Sequence, residues 1–208
     1  MRKVFLAVRL IVTYIRAKLI ILFSQYDEAF FADGSRFKGG RFGKFTATGW
    51  KWVVHDYKMC KAKGVNQDVP WPVSADIRIV RPENIIFHPD DLNNFQTFGN
   101  YYQAIEKISI GKGSYIAPNV GIITANHSLE DISKHGTPKP VTLGERCWIG
   151  MNAMILPGVS LGDNTVVGAG SVVTKSFPEG NCVIAGNPAK IIRVLKENDE
   201  DKKLEGNL

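Results

Sequence analysis

Cysteine is scarce in this chain of 208 residues, and what there is forms no pattern. Cys60, Cys147 and Cys182 are odd in number and widely spaced, so neither a disulfide framework nor a zinc-ligand spacing can be read from them. A reducing compartment, the cytoplasm, is the expectation. Blocks of like charge are also missing. The net charge of +6 is spread along the chain, which permits an anionic ligand or membrane face without demanding nucleic acid. The basic and aromatic stretch FFADGSRFKGGRFGKF (30–45) has no stacking module around it, so no nucleic-acid partner is expected. No serine sits in a nucleophile-elbow pattern and no cysteine lies beside His127, which argues against a covalent intermediate.

A charge-free hydrophobic run long enough to span a bilayer is absent too. Residues 4–23, VFLAVRLIVTYIRAKLIILF, carry Arg9, Arg16 and Lys18 inside the apolar stretch, and charges at mid-depth are costly in lipid. No small-residue cleavage site follows, which speaks against a secretory signal. At helical pitch Arg2, Arg9, Thr13 and Arg16 fall on one narrow stripe with aliphatic residues around most of the remainder. The leading reading is a helix packed on its own oligomer. A helix lying in the membrane interface, making peripheral contact through residues 2–23 at the inner face of the cell membrane, comes second.

What the chain does have, in order, is a glycine- and aromatic-rich connection over 24–48, a short helix over 49–64 closing at Gly64, and the proline-extended VPWPV at 69–73. The resulting division is an N-terminal helical and loop-rich extension (1–72), a repeat domain (73–187) and a C-terminal helix with an acidic, solvated tail (188–208).

The repeat is the most informative feature. Aliphatic residues return every six positions at Ile110, Ile116 and Ile122, then at Leu143, Ile149, Ile155, Leu161, Val167 and Val173. Fainter members at Val80, Ile86, Leu92, Phe98 and Ala104 keep the same step upstream. A six-residue period is neither helical nor a simple alternation. Short strands and tight turns, three per circuit, wind the chain into a triangular prism with the lead aliphatics stacked inside. Glycine or alanine after the lead (Gly111, Ala117, Gly144, Gly150, Gly162, Gly168) is expected to ease the corner. Small or compact residues at the fifth position, among them Ser114, Cys147 and Thr165, fill the wall, which gives Cys147 a structural role.

The stretches IGKGSYIAPNVGIITANH, LGERCWIGMNAMILPGVSLGDNTVVGAGSVVTK and GNPAKIIR resemble the hexapeptide-repeat acyltransferases, nearest to the sugar, maltose, galactoside and capsular-polysaccharide O-acetyltransferases. The resemblance covers about residues 98–195 and is weak or absent before 73. It implies a mainly β fold, a left-handed parallel β-helix of hexapeptide repeats with a protruding loop, the N-terminal extension and a short C-terminal helix. It also implies a homotrimer with active sites between subunits, acetyl-CoA as co-substrate, no metal, and a sugar or glycan acceptor in cell-surface polysaccharide assembly.

The ladder breaks once, at TANHSLEDISKH (124–135), and the polar segment 128–142 is expected to leave the wall as a loop. His127 then stands at the root of that loop. An alcohol attacking a thioester must lose its proton, and imidazole suits that task near neutrality. The resemblance implies that His127 is this general base, with Asn126 fixing geometry or meeting the acceptor, although a turn asparagine is an equal reading. His135 is the rival base; Glu130 and Asp131 read as solvated loop carboxylates more readily than as groups orienting the imidazole.

For the donor, the resemblance implies Trp148 beside the cleft and the pantetheine arm, with packing at the trimer contact as the alternative. It implies Met151, Ala169, Thr174 and Lys175 along coenzyme A, and Lys190 and Arg193 on the nucleotide phosphates. For the acceptor, the chain departs from the family pattern, with Thr97 standing where the galactoside enzymes carry a sugar-binding Asn, and Tyr101 with Tyr102 offer an aromatic platform or merely pack. Three other readings share the fold: a zinc carbonic anhydrase, whose histidine spacing His88, His127 and His135 do not match; a non-catalytic β-helix scaffold; and an antibiotic acetyltransferase.

Overall fold

The computed structural model describes residues 2–39 and 43–195. The acidic stretch after Lys196 lies outside the described residues. Helix α1 (Arg2–Phe23) contains neither glycine nor proline. It packs one face on α3 (Gly49–Lys63), where Ala17 is fully buried and Tyr14 meets Trp50 edge to face at 5.0 Å. Lys18 lies over the Trp50 ring and pairs with Glu28. The expected stop of α3 is present. Gly64 takes the left-handed conformation (φ 65°), Val65 N–H donates to Cys60 O, and Gly64 N–H donates to Lys61 O, the paired bonds that satisfy orphan carbonyls at a helix end. Between these helices lie the short α2 (Ser35–Lys38) and isolated 3₁₀ turns.

Three parallel walls follow. The first is β1 (Arg78–Val80), β3 (Tyr101–Gln103), β6 (Gly121–Ile123), β9 (Met154–Ile155) and β12 (Val172–Val173). The second is β2 (Ile85–Ile86), β4 (Ile108–Ile110), β7 (Val141–Leu143) and β10 (Ser160–Leu161). The third is β5 (Tyr115–Ile116), β8 (Trp148–Ile149), β11 (Val166–Val167) and β13 (Cys182–Gly186), ending in β14 (Ala189–Val194). The chain visits second, third and first wall in turn, so each circuit is one layer of a three-sided coil.

Strand register places like residues in columns. Ile122 pairs with Ile155 and that with Val173; Ile110 with Leu143 and Leu161; Ile116 with Ile149, Val167 and Ile184. All are buried, so the coil's stability rests on stacking circuits, each covering the next. The small fifth-position residues Ser114, Cys147, Ala153 and Thr165 are buried as well. The Cys147 thiol points to Gly162 O at 3.4 Å and burial pushes its pKa up, consistent with a wall residue.

The glycine after the lead has a different task from the one expected. The left-handed corners are carried three residues after the lead, by Gly113, Asn119, Arg146, Asn152, Gly158, Asn164 and Gly170. At Gly144 the constraint is crowding between layers: a Cβ there would lie 2.6 Å from Asp163 N of the next circuit.

The faint upstream register is also corrected. Leu92 and Ala104 are fully buried, but Ile86 and Phe98 are exposed, and in the first wall it is Ile79 and Tyr102 that stack beneath Ile122. Early circuits are longer than eighteen residues, so the six-residue step is lost there. The open end of the coil is closed by asparagines that mimic a strand. Asn94 accepts from Ile116 N–H and donates to Ser114 O, and Asn66 accepts from Ile79 N–H and donates to Ile77 O. Edge groups that would otherwise invite pairing are thereby satisfied.

No helix forms over 189–194. This segment is β14, antiparallel to β13, because β13 offers an edge to pair with. The extension and the coil share one hydrophobic core. Val69, Trp71 and Val73 of the VPWPV stretch are fully buried within it, and Trp71 stacks against Phe30, Phe87 and Phe95.

Candidate active site

The break in the ladder falls at the corner between the first and second walls. After β6 the chain is pinned to the preceding circuit: Thr124 Oγ1 donates to Gln103 O at 2.6 Å and Ala125 N–H to Gln103 Oε1 at 3.2 Å. It then runs out and back as a narrow ribbon. His127 and His135 form an antiparallel bridge, Ser128 N–H donates to Lys134 O, and Gly136 N–H donates to Asn126 O. By Lys139, whose N–H donates to Thr124 O, the chain is back on the wall. The excursion is therefore shorter than the expected 128–142. Val141 is fully buried in β7 opposite Ile108, because the second wall needs its full three-residue strand before the lead Leu143. Asn126 and His127 belong to the ribbon itself.

His127 is exposed, and its ring lies against that of His135 with centroids 4.8 Å apart. Asn126 is exposed beside it. Sequence reasoning treated His135 as a competitor and missed that the two rings touch; no pattern marks the pairing, because ribbon register is set by how the loop closes. It also missed Gln103, whose backbone and side chain clamp the root of the ribbon. Asp131 is engaged elsewhere: it accepts from Ser133 Oγ at 2.6 Å and pairs with Lys134, and the Ser133 hydroxyl is the main cause holding its carboxyl below the ordinary value. The ribbon's outer end carries the exposed Leu129 and Ile132.

The other expected site residues divide by wall. Thr174 and Lys175 follow β12 at the same corner as His127, two layers further on, roughly 10 Å along the axis. Both are exposed, and Lys175 lies over the Phe177 ring at 5.6 Å. Met151 and Ala169 stack one layer apart at the next corner, between third and first walls, where Gly170 N–H donates to Met151 O. Trp148 is exposed on the third wall, in a column with Tyr115, Val166 and Val183. Lys190 and Arg193 are exposed on β14 at the end of that wall, and among the described residues neither has a salt-bridge partner.

In a three-sided prism the corner bearing His127 faces away from the third wall, so within one chain the body of the coil separates His127 from Trp148. Thr97 is half-buried. Tyr102 is corrected: it is 1% exposed, in the core between Ile79 and Ile122, with its hydroxyl donating to Asn94 O at 3.2 Å. It offers no face to an acceptor. Tyr101, its neighbour on the strand, is the outward one. Among the described residues no three His, Cys, Asp or Glu side chains are grouped to hold a metal ion.

Comparison with known proteins agrees with the repeat. Residues 140–175 match the bacterial transferase hexapeptide family (six repeats). Over 131 residues the chain is 36% identical to WcaF of Escherichia coli K12, named as a colanic acid biosynthesis acetyltransferase, spanning 58% of this chain and 68% of WcaF. Over 98 residues it is 44% identical to the galactoside O-acetyltransferase of the same organism, spanning 46% of this chain and 47% of that one. The chain spans about half the length of several curated relatives it matches, the galactoside enzyme included. A solved structure of galactoside acetyltransferase in complex with coenzyme A shares the fold, with a TM-score of 0.52 and 23% identity over 93% of this chain and 84% of that one. The three-sided coil is accordingly a left-handed parallel β-helix, and the chain belongs to the hexapeptide-repeat transferase family.

Proposed function

We propose that this chain is an acetyl-CoA-dependent O-acetyltransferase acting on a sugar hydroxyl, in the assembly of a cell-surface polysaccharide or glycan. The observation that carries the reading is the exposed imidazole of His127 at the single break of the ladder, on a corner pinned to a stiff circuit by Gln103. The names of the relatives, for a colanic acid acetyltransferase and a galactoside O-acetyltransferase, support the substrate class.

His127 takes the proton of the acceptor hydroxyl as its oxygen bonds the acetyl carbon. The carbon–sulfur bond breaks, and the proton passes to the leaving thiolate. A base mounted next to a corner pinned by Gln103 favours this one-step transfer, since positioning supplies much of the acceleration. Asn126, exposed beside the histidine, is the group to orient the acceptor. Trp148, with Lys190 and Arg193, provides an apolar surface and two cations suited to a pantetheine arm and nucleotide phosphates. These lie on the wall turned away from His127, and a site using both is completed when a second copy brings its third wall to this corner, as in a trimer.

The test is acetyl transfer from radiolabelled acetyl-CoA to a panel of oligosaccharides, lipid-linked sugars and antibiotics, with His127→Ala alongside. Transfer to a saccharide, lost in the variant, upholds the proposal. Transfer only to antibiotics, or none from acetyl-CoA at all, overturns the substrate class or the reaction.

A further inference from the structure

Helix α1 is apolar on two opposite sides. One side is the face on α3, centred on Ala17 with Tyr14 and Ile21. The other carries Phe5, Val8, Val12, Ile15, Leu19 and Leu22, spaced by alternating steps of three and four, and every one of them is exposed, Phe5 by 75% and Leu22 by 71%. Such spacing makes one unbroken stripe along the helix. A monomeric surface rarely leaves so large a contiguous apolar patch bare.

The charge around the stripe identifies what covers it. The first 26 residues hold Arg2, Lys3, Arg9, Arg16 and Lys18 and no Asp or Glu. Arg9 and Arg16, both exposed, run along one flank of the stripe. On the same flank Arg9 and Lys51 of α3 line a cleft of about 200 Å³ together with Leu6, Leu10 and Thr13. A second copy laid along this helix would bring like charges together and meet no carboxylate. An anionic lipid surface meets each of these features, with headgroup phosphates for the flank and acyl chains for the stripe. No described helix is long and apolar enough to cross a membrane, and Arg9 and Arg16 at mid-helix require the helix axis to lie in the plane of the interface.

We infer that α1 is a monotopic anchor, which holds the coil against the surface of an anionic phospholipid bilayer through the Phe5–Leu22 stripe and the Arg9 and Arg16 flank. This goes beyond the transfer reaction, and its test reads no acetyl transfer. Full-length protein is floated with vesicles of equal parts phosphatidylglycerol and phosphatidylcholine, and with pure phosphatidylcholine. The wild type floats with the mixed vesicles at least about tenfold more than with the neutral ones, and added salt weakens it. Val12→Gln/Ile15→Gln/Leu19→Gln, which changes only exposed side chains, abolishes flotation. Arg9→Gln/Arg16→Gln reduces it by roughly ten- to thirtyfold on the mixed vesicles alone. Circular dichroism confirms that each variant is folded, and the arginine pair decides the matter if the triple variant is not. No flotation of the wild type, equal flotation with neutral vesicles, or flotation unchanged in both variants overturns the inference. Self-association abolished by the triple variant, without vesicle binding, gives the stripe to a second copy and overturns it likewise.

Discussion

Replacing Asp56 by Asn gives a quantitative check on how the extension is joined to the coil. Asp56 lies on α3, 3% exposed, and its Oδ2 accepts from Gln96 Nε2 at 2.8 Å just before the first wall turns upward. Burial is the main cause that raises its pKa from 3.8 to about 6, against the opposing Gln96 hydrogen bond. The folded carboxyl thus holds its proton more tightly than the unfolded one. Its contribution favours folding fully below the unfolded value and is lost as pH rises through about 6. The shift corresponds to about 3 kcal/mol in total, roughly half of it falling between pH 5 and pH 8. Asn cannot ionise, so Asp56→Asn removes this dependence. Whatever the exchange costs or gains in hydrogen bonding is common to both pH values and cancels. Urea denaturation of both proteins at pH 5 and pH 8 measures it. The stability of the variant relative to wild type should improve by about 1 kcal/mol on going to pH 8. Parallel pH dependence of the two proteins would show that the carboxylate is solvated in the folded state, and with it that α3 does not seal against the coil as described.

Four further substitutions probe the site and the ladder. His127→Ala should lower turnover by about a hundredfold or more while coenzyme A affinity, read by calorimetry, stays near wild type; near-normal turnover would move the base to His135. Gly144→Ala forces a Cβ to within 2.6 Å of Asp163 N and should destabilise by about 1–3 kcal/mol, seen as a lower melting temperature, whereas Asn152→Gly, at an exposed left-handed corner with φ 61°, should change it little. Tyr102→Phe should cost about 1 kcal/mol of stability and leave KM for any saccharide unchanged, because the hydroxyl serves only the core.

The interior of the coil was legible because its physics is periodic. Each lead residue from Ile110 to Val173 must stack on its equivalent in the next circuit, and that requirement writes itself into the chain every six positions. Legibility fails where the period does. Before Ile108 the circuits are irregular, so the continuing six-residue count selected the exposed Ile86 and Phe98 and passed over Ile79 and Tyr102. The error at Tyr102 follows from that slip, since an aromatic residue looks like a sugar platform only when its inward direction is unknown. At the other end, Ala189–Val194 reads as a helix by itself and becomes a strand because β13 supplies a partner, a tertiary fact with no local signature.

For the candidate site, the chain marked where the ladder is left but not the contacts made there. The interruption after Ile123 marks the excursion on which the structure has His127 exposed, because a solenoid can accept an insertion only at a corner without breaking its stack. Contact between His127 and His135, and the clamp from Gln103, depend on loop closure and on a side chain one circuit earlier, neither of which leaves a spacing to read. The order of walls adds a constraint that a linear motif conceals. Asn126 and His127 stand at one corner, Trp148 on the wall turned away from it, and no rotation of side chains brings them together through a packed column of Ile, Leu and Val. A cleft that uses both must therefore be built between copies. Disrupting the contact between copies should then abolish transfer while leaving each coil folded, whereas a dilute, strictly monomeric preparation that kept full turnover would remove Trp148 from the reaction.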